Sequence, residues 1–152
     1  MFKEHKKILD HFNKFQQEVD RMVTIMGNDA KNHYVNSFYN QGFTDESLEK
    51  WQPRKRKEYR TRSGKRVNDT NRGILIKTGD LSRSIRYRKI SKYSIVMQSD
   101  KPYARIHNEG LQGKAWGKHS FKMPKRQFIG YSGVLNRKLR DKFDRIIKNI
   151  FK

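Results

Sequence analysis

Apolar residues near the N-terminus recur on one helical face. Ile8, Phe12, Phe15, Val19, Met22 and Met26 are separated by 4, 3, 4, 3 and 4 residues, and Ala30, Tyr34 and Phe38 continue at steps of four. This is the period of a helix, not of a strand, so a helix is predicted over 3–38 with its stripe packed on the core. An intersubunit coiled coil is the weaker reading, because the 3–4 alternation stops at Met26. Gly27-Asn28 lies inside the stripe, and two poor helix formers in succession predict a kink or a split there. At the far end Leu135, Leu139, Phe143, Ile146, Ile147 and Ile150 are spaced 4, 4, 3, 1 and 3, which predicts a second amphipathic helix over 132–151.

Between the helices the pattern shortens. Thr44-Asp45-Glu46-Ser47 has the composition of an N-cap, which predicts a short helix through Leu48 that ends at Trp51-Gln52-Pro53. Ser84–Ile90 and Ser94–Ser99 suit strands, with Ser91-Lys92-Tyr93 as the turn of an antiparallel hairpin. Asp100-Lys101-Pro102 opens a short helix through His107 that Gly110 terminates, 111–119 reads as a loop, and Ser120–Pro124 as a last strand. The fold class is therefore α+β: an antiparallel β-sheet packed against a long N-terminal helix and a C-terminal helix. The length of 152 residues fits one domain, 1–152, and no internal repeat is visible.

Composition changes this picture in one respect. Apolar residues make up 34% of the chain and charged residues another 34%, so the core is lean and part of the chain is expected to stay extended or to order against a partner. The formal net charge is +21, a field that repels copies of the chain and attracts polyanions. It suits a ribosomal-type or DNA-packing protein and equally a virion part beside packaged DNA. The density peaks at 54–66, RKRKEYRTRSGKR, where Arg54, Lys55, Arg56, Lys57, Arg60, Arg62, Lys65 and Arg66 crowd a segment in which only Tyr59 suits a core. An exposed, mobile loop is predicted, either simply solvated or in contact with phosphates or a partner.

Candidate chemistry is sparse. The chain has no cysteine, which excludes disulfides, thiolate metal sites and cysteine nucleophiles. No run approaches the length needed to cross a bilayer, and the charged start MFKEHKKILDHF lacks the apolar region of a secretory signal, so synthesis and use in a cytoplasm are expected. His5, His11, His33, His107 and His119 show no metal-ligand spacing, with His5 and His11 expected to face solvent. Thr78-Gly79-Asp80 reads as a tight turn whose Asp80 caps the next helical turn. His107 and Glu109, two apart on a helix, do not face each other, and His107 is read as structural. No catalytic residue, metal or cofactor is expected. No sequence-reading nucleic-acid module is present either, although Tyr59, Tyr87 and Tyr93 stand among Lys and Arg, as residues that stack on bases do.

Four blocks in order carry a resemblance. They are Trp51-Gln52-Pro53; Ile74-Leu75-Ile76-Lys77-Thr78-Gly79-Asp80-Leu81 running to Ser84-Ile85; Pro102-Tyr103-Ala104 through His107 to Gly110; and Met123-Pro124-Lys125-Arg126-Gln127-Phe128-Ile129-Gly130. In this the chain resembles the phage virion-morphogenesis family, the tail-completion proteins of Mu-like and related tailed phages. It departs from that pattern in the density of the basic segment and in Gln127, which interrupts the context usual before the phenylalanine. The resemblance implies a structural role for Trp51, Thr78, Gly79, Leu81, Tyr103, Ala104, His107, Gly110, Pro124, Arg126 and Phe128. It also implies a virion protein of the tail or neck, completing or terminating the tail and enabling head–tail joining, assembled in the host bacterial cytoplasm. Expected partners are further copies in a homo-oligomeric ring (a hexamer fits), other head-completion and tail-tube proteins, and non-specific double-stranded DNA in the channel, but no membrane. The rival expectation is a basic protein that binds nucleic acid without sequence preference.

Overall fold

The computed structural model describes residues 2–54, 58–68, 72–115 and 119–150. Its frame is two helices, α1 (Phe2–Asn40) and α4 (Gly133–Ile150), with short strands and two short helices between them. The fold class is α+β, as predicted. Among the described residues the strands form four separate antiparallel pairs instead of one sheet: β1 (Gly42–Thr44) with β2 (Leu48–Lys50), β3 (Glu58–Arg60) with β4 (Arg66–Asn68), β5 (Arg86–Ser91) with β6 (Ser94–Gln98), and β7 (Gln112–Ala115) with β8 (His119–Lys122). The short helices are α2 (Asp80–Arg83) and α3 (Ala104–Glu109).

Helix α1 runs unbroken through Gly27-Asn28, contrary to the predicted kink. The reason is tertiary. Gly27 is buried where β5 crosses the helix, and a Cβ built on it would lie 2.7 Å from Cδ2 of Tyr87. The missing side chain is room for an aromatic ring, and packing there outweighs the loss of about 1 kcal/mol in helix propensity.

The core forms around the C-terminal half of α1. Ala30, Tyr34 and Phe38 meet Phe43, Trp51, Leu81, Ile85, Ala104, Phe128 and Leu135 in one buried cluster. Phe38 packs edge-on to Trp51 at 5.4 Å between ring centroids and against Phe128 at 5.2 Å. Each such side chain taken from water contributes about 1.5–3 kcal/mol. The stripe does not stay covered along its length. Residues 4–14 are all exposed, with Ile8 at 67% and Phe12 at 57%, so the expectation that the whole stripe packs on the core fails. Helix α4 is antiparallel to α1, tied to it by the Lys142–Asp29 ion pair, and its final turns lie beside Lys14, Glu18 and Met22. It reaches no further, so the first turns of α1 have nothing of α4 to pack on. Phe143, placed on the packed face by periodicity, is 40% exposed.

Three other segments depart from their sequence patterns. The helix expected from Thr44 is the β1–β2 hairpin, because burying Phe43 beside Tyr34 requires an extended chain. Strand pairing also reaches both the basic segment and the predicted loop 111–119, with Arg60 opposite Arg66 and Gly113 opposite Phe121. Strand β5 begins at Arg86, since Ser84 still closes α2.

Candidate functional site

The motif blocks converge on one side of Phe38. Trp51 follows β2, and its indole Nε1 donates to the Gln127 carbonyl at 2.7 Å. Phe128, 1% exposed, is set by Asn108 of α3, whose Oδ1 accepts from the amides of Phe128 (2.9 Å) and Ile129 (3.0 Å) while its Nδ2 donates to the Ile129 carbonyl. Tyr34 closes the same segment by donating to the Gly130 carbonyl at 2.8 Å. Asn108 was not among the sequence candidates. A helical asparagine carries no local sign of what it holds 20 residues later, and only its place between His107 and Gly110 hints at a role.

Gly110 ends α3 in the left-handed region (φ 71), and a Cβ there would meet the Lys125 amide nitrogen at 2.8 Å, so both conformation and space demand glycine. This brings α3 against 123–126: the Arg126 amide donates to the His107 carbonyl at 2.8 Å and the Met123 amide to Leu111 at 3.1 Å. Ala104 and Leu81 are buried in the core cluster. Tyr103, given a structural role by the resemblance, is 40% exposed and stands edge-on to the His107 ring at 6.1 Å. Ala104, the next residue, is the one buried in the core.

Gly79 takes positive φ (77) as expected, but it is Gly79 that occupies the N-cap of α2, and no side chain caps it. Asp80 instead accepts from Thr78 Oγ1 (2.5 Å) and Arg83 Nη2 (2.7 Å), and these bonds hold its carboxyl below the usual range. The cluster is an exposed surface staple. Burial, aided by the Arg126 charge, pushes the His107 imidazole toward its neutral form, and its Nδ1 is buried without a hydrogen-bond partner. His33 is lowered chiefly by burial, opposed by its bond to the Thr44 carbonyl at 3.1 Å. Among the described residues no group of three or more His, Asp or Glu side chains is placed to hold a metal ion. Among the described residues no helix is long and apolar enough to cross a membrane.

The basic candidates divide. Arg60, Arg62, Lys65 and Arg66 are exposed on the β3–β4 hairpin, whose turn is closed by Thr61 and Lys65. Lys55, Arg56 and Lys57 lie outside the described residues. Arg54 belongs elsewhere: half-buried, it donates to the Gly73 carbonyl at 2.6 Å and lines the recess beside His107. It is therefore part of the body and not of the arm. Of the aromatic candidates, Tyr87 is occupied against Gly27, while Tyr93 is exposed with Lys92 Nζ 5.8 Å from its ring centroid.

Comparison with known proteins matches the model of the phage virion morphogenesis family to residues 2–148. No curated protein and no solved structure matches the chain.

Proposed function

The chain belongs to the phage virion morphogenesis family, and on that premise we propose that it is a non-enzymatic structural part acting at the head–tail junction. There it completes or terminates the tail and makes it competent to join the head. The carrying observation is the extent of the match: it takes in both long helices together with all four motif blocks. The family supports a role in virion assembly; the position in the tail or neck is our reading.

In this reading the protein works as a ring of identical copies, six being one such number, between head-completion and tail-tube proteins. A closed ring needs two unlike surfaces on each copy. The protein offers unlike surfaces in the projecting start of α1, with Ile8, Leu9 and Phe12, and in the basic β3–β4 hairpin. A hairpin turned to the channel would meet DNA through phosphates without reading sequence.

A phage with an early stop codon in this gene tests the proposal. Filled heads and tails should accumulate unjoined, and complete infectious particles would overturn it. The +21 charge favours a second reading, a free nucleic-acid-binding protein. Sedimentation in high salt separates the two: a persistent multimer fits the virion part, and a monomer that binds any duplex tightly fits the rival.

A further inference from the structure

Arg126 is 6% exposed, yet among the described residues no carboxylate pairs with it. Its Nε and Nη2 both donate to one acceptor, the Gln52 carbonyl, at 3.2 and 3.1 Å, and Nη1 has only the weak acceptor Met123 Sδ at 3.9 Å. One edge of the guanidinium is thereby used to hold the 51–53 segment, and the Nη1–Nη2 end is left without an oxygen acceptor. Arg126 also lines a cavity of 260 Å³, together with Gln52, Pro53, Arg54, Lys122, Met123 and Pro124. Among the described residues every ionisable group in this wall is a cation. The apolar part, two prolines and a methionine, strengthens any charge interaction by excluding water. A buried guanidinium without an anion is strongly unfavourable, and the usual remedy is a carboxylate or phosphate bound end-on. Burial, with the charge of Arg54 added, already pushes the guanidinium pKa down.

We propose that this cavity is a carboxylate-binding site, which takes a glutamate or aspartate side chain of a partner polypeptide onto the free end of Arg126 with Lys122 at its rim. Duplex DNA fits it poorly. A stiff duplex carries its phosphates on a broad rod, which reaches exposed cations such as Arg60 and Arg62 but not a guanidinium buried in the wall of a recess. A single protruding side chain does reach it, and the planar fork of arginine matches a carboxylate in two hydrogen bonds. The long-range field of a +21 chain would steer such an acidic partner in. The site stands apart from the virion position proposed above, since it requires only a partner with an acidic side chain.

The experiment follows the Arg126 Nε–H resonance of the full chain, assigned with Arg126→Lys, during titration with acetyl-glutamate methylamide. Acetyl-glutamine methylamide and a short duplex at matched ionic strength are the controls. The glutamate probe should give a saturable shift that the glutamine probe does not, and Lys122→Ser, on an exposed position of β8, should weaken it several-fold. If a neighbouring copy already fills the cavity, Lys122→Ser should instead reduce the size of the assembly in sedimentation. Equal effects of the two probes, with assembly size unchanged in Lys122→Ser, overturn the proposal. A shift produced by the duplex at lower concentration than by the glutamate probe overturns it in favour of a phosphate site.

Discussion

Asp45 caps a helix that begins 88 residues after it: its Oδ1 accepts the Gly133 amide at 2.7 Å, and its own carbonyl accepts from Val134 at 3.2 Å. The N-cap chemistry of Thr44-Asp45-Glu46-Ser47 is real, but it serves α4 and not a helix of its own. Glu46 reinforces the junction through the Arg137 guanidinium, at 2.9 and 2.6 Å. Asp45→Ala should therefore destabilise the protein by about 1 kcal/mol, the usual cost of a lost cap. Urea unfolding followed by circular dichroism checks this; an unchanged midpoint would mean that the Asp45 bond adds nothing to the Ser132 cap, the ion pairs and the apolar face that also hold α4.

Gly27→Ala should destabilise by about 1–3 kcal/mol, the cost of overpacking, although the same change in an open helix gains about 1 kcal/mol. The sign comes from the Tyr87 ring. In a Tyr87→Ser background the substitution should turn stabilising. If it destabilises equally in both backgrounds, the close approach is not what keeps Gly27.

The two ends of the apolar stripes should respond differently. Leu135→Ala, in the core cluster, should cost about 2–5 kcal/mol, whereas Phe12→Ala, 57% exposed, should stay within about 0.5 kcal/mol. A large loss of monomer stability at Phe12 would show that the first turns of α1 fold back on the body.

Replacing Arg60, Arg62, Lys65 and Arg66 with Ser should leave the melting temperature unchanged, since all four are exposed. It should flatten the salt dependence of duplex binding, in log units, by up to about 3.6, as expected when each of four engaged phosphates contributes about 0.9. A duplex affinity that keeps its slope would place DNA contact, if any, away from this hairpin.

His33 and His107 both have imidazole pKa values lowered in the folded protein, mainly by burial. The unfolded chain then takes up protons first as pH falls. Their contribution is intact above the ordinary histidine value of about 6.5 and is lost as pH drops from there through the folded values. Stability should decline over that window, and His107→Gln should remove part of the slope. Asp80 and Glu46, whose carboxyls are held low by their hydrogen bonds, act only in a separate, more acidic window.

The sequence by itself determined the elements whose evidence is local. The stripe ending in Tyr34 and Phe38, the Arg86–Gln98 hairpin and the helix starting near Leu135 each announce themselves by period, and the left-handed turns at Gly79 and Gly110 by residue type. The motif blocks likewise carry the family resemblance in residue type and order alone. What only tertiary structure decided is how these parts use one another. It made Asp45 the cap of a distant helix, Gly27 a socket for Tyr87, Asn108 the clamp on Phe128, and Arg126 a buried cation beside Gln52. It also left Phe12 and Phe143 exposed despite their place on an apolar stripe. Periodicity reports which side chains share a face. Whether that face is covered, and by what, depends on segments tens of residues away, and these leave no mark on the local pattern.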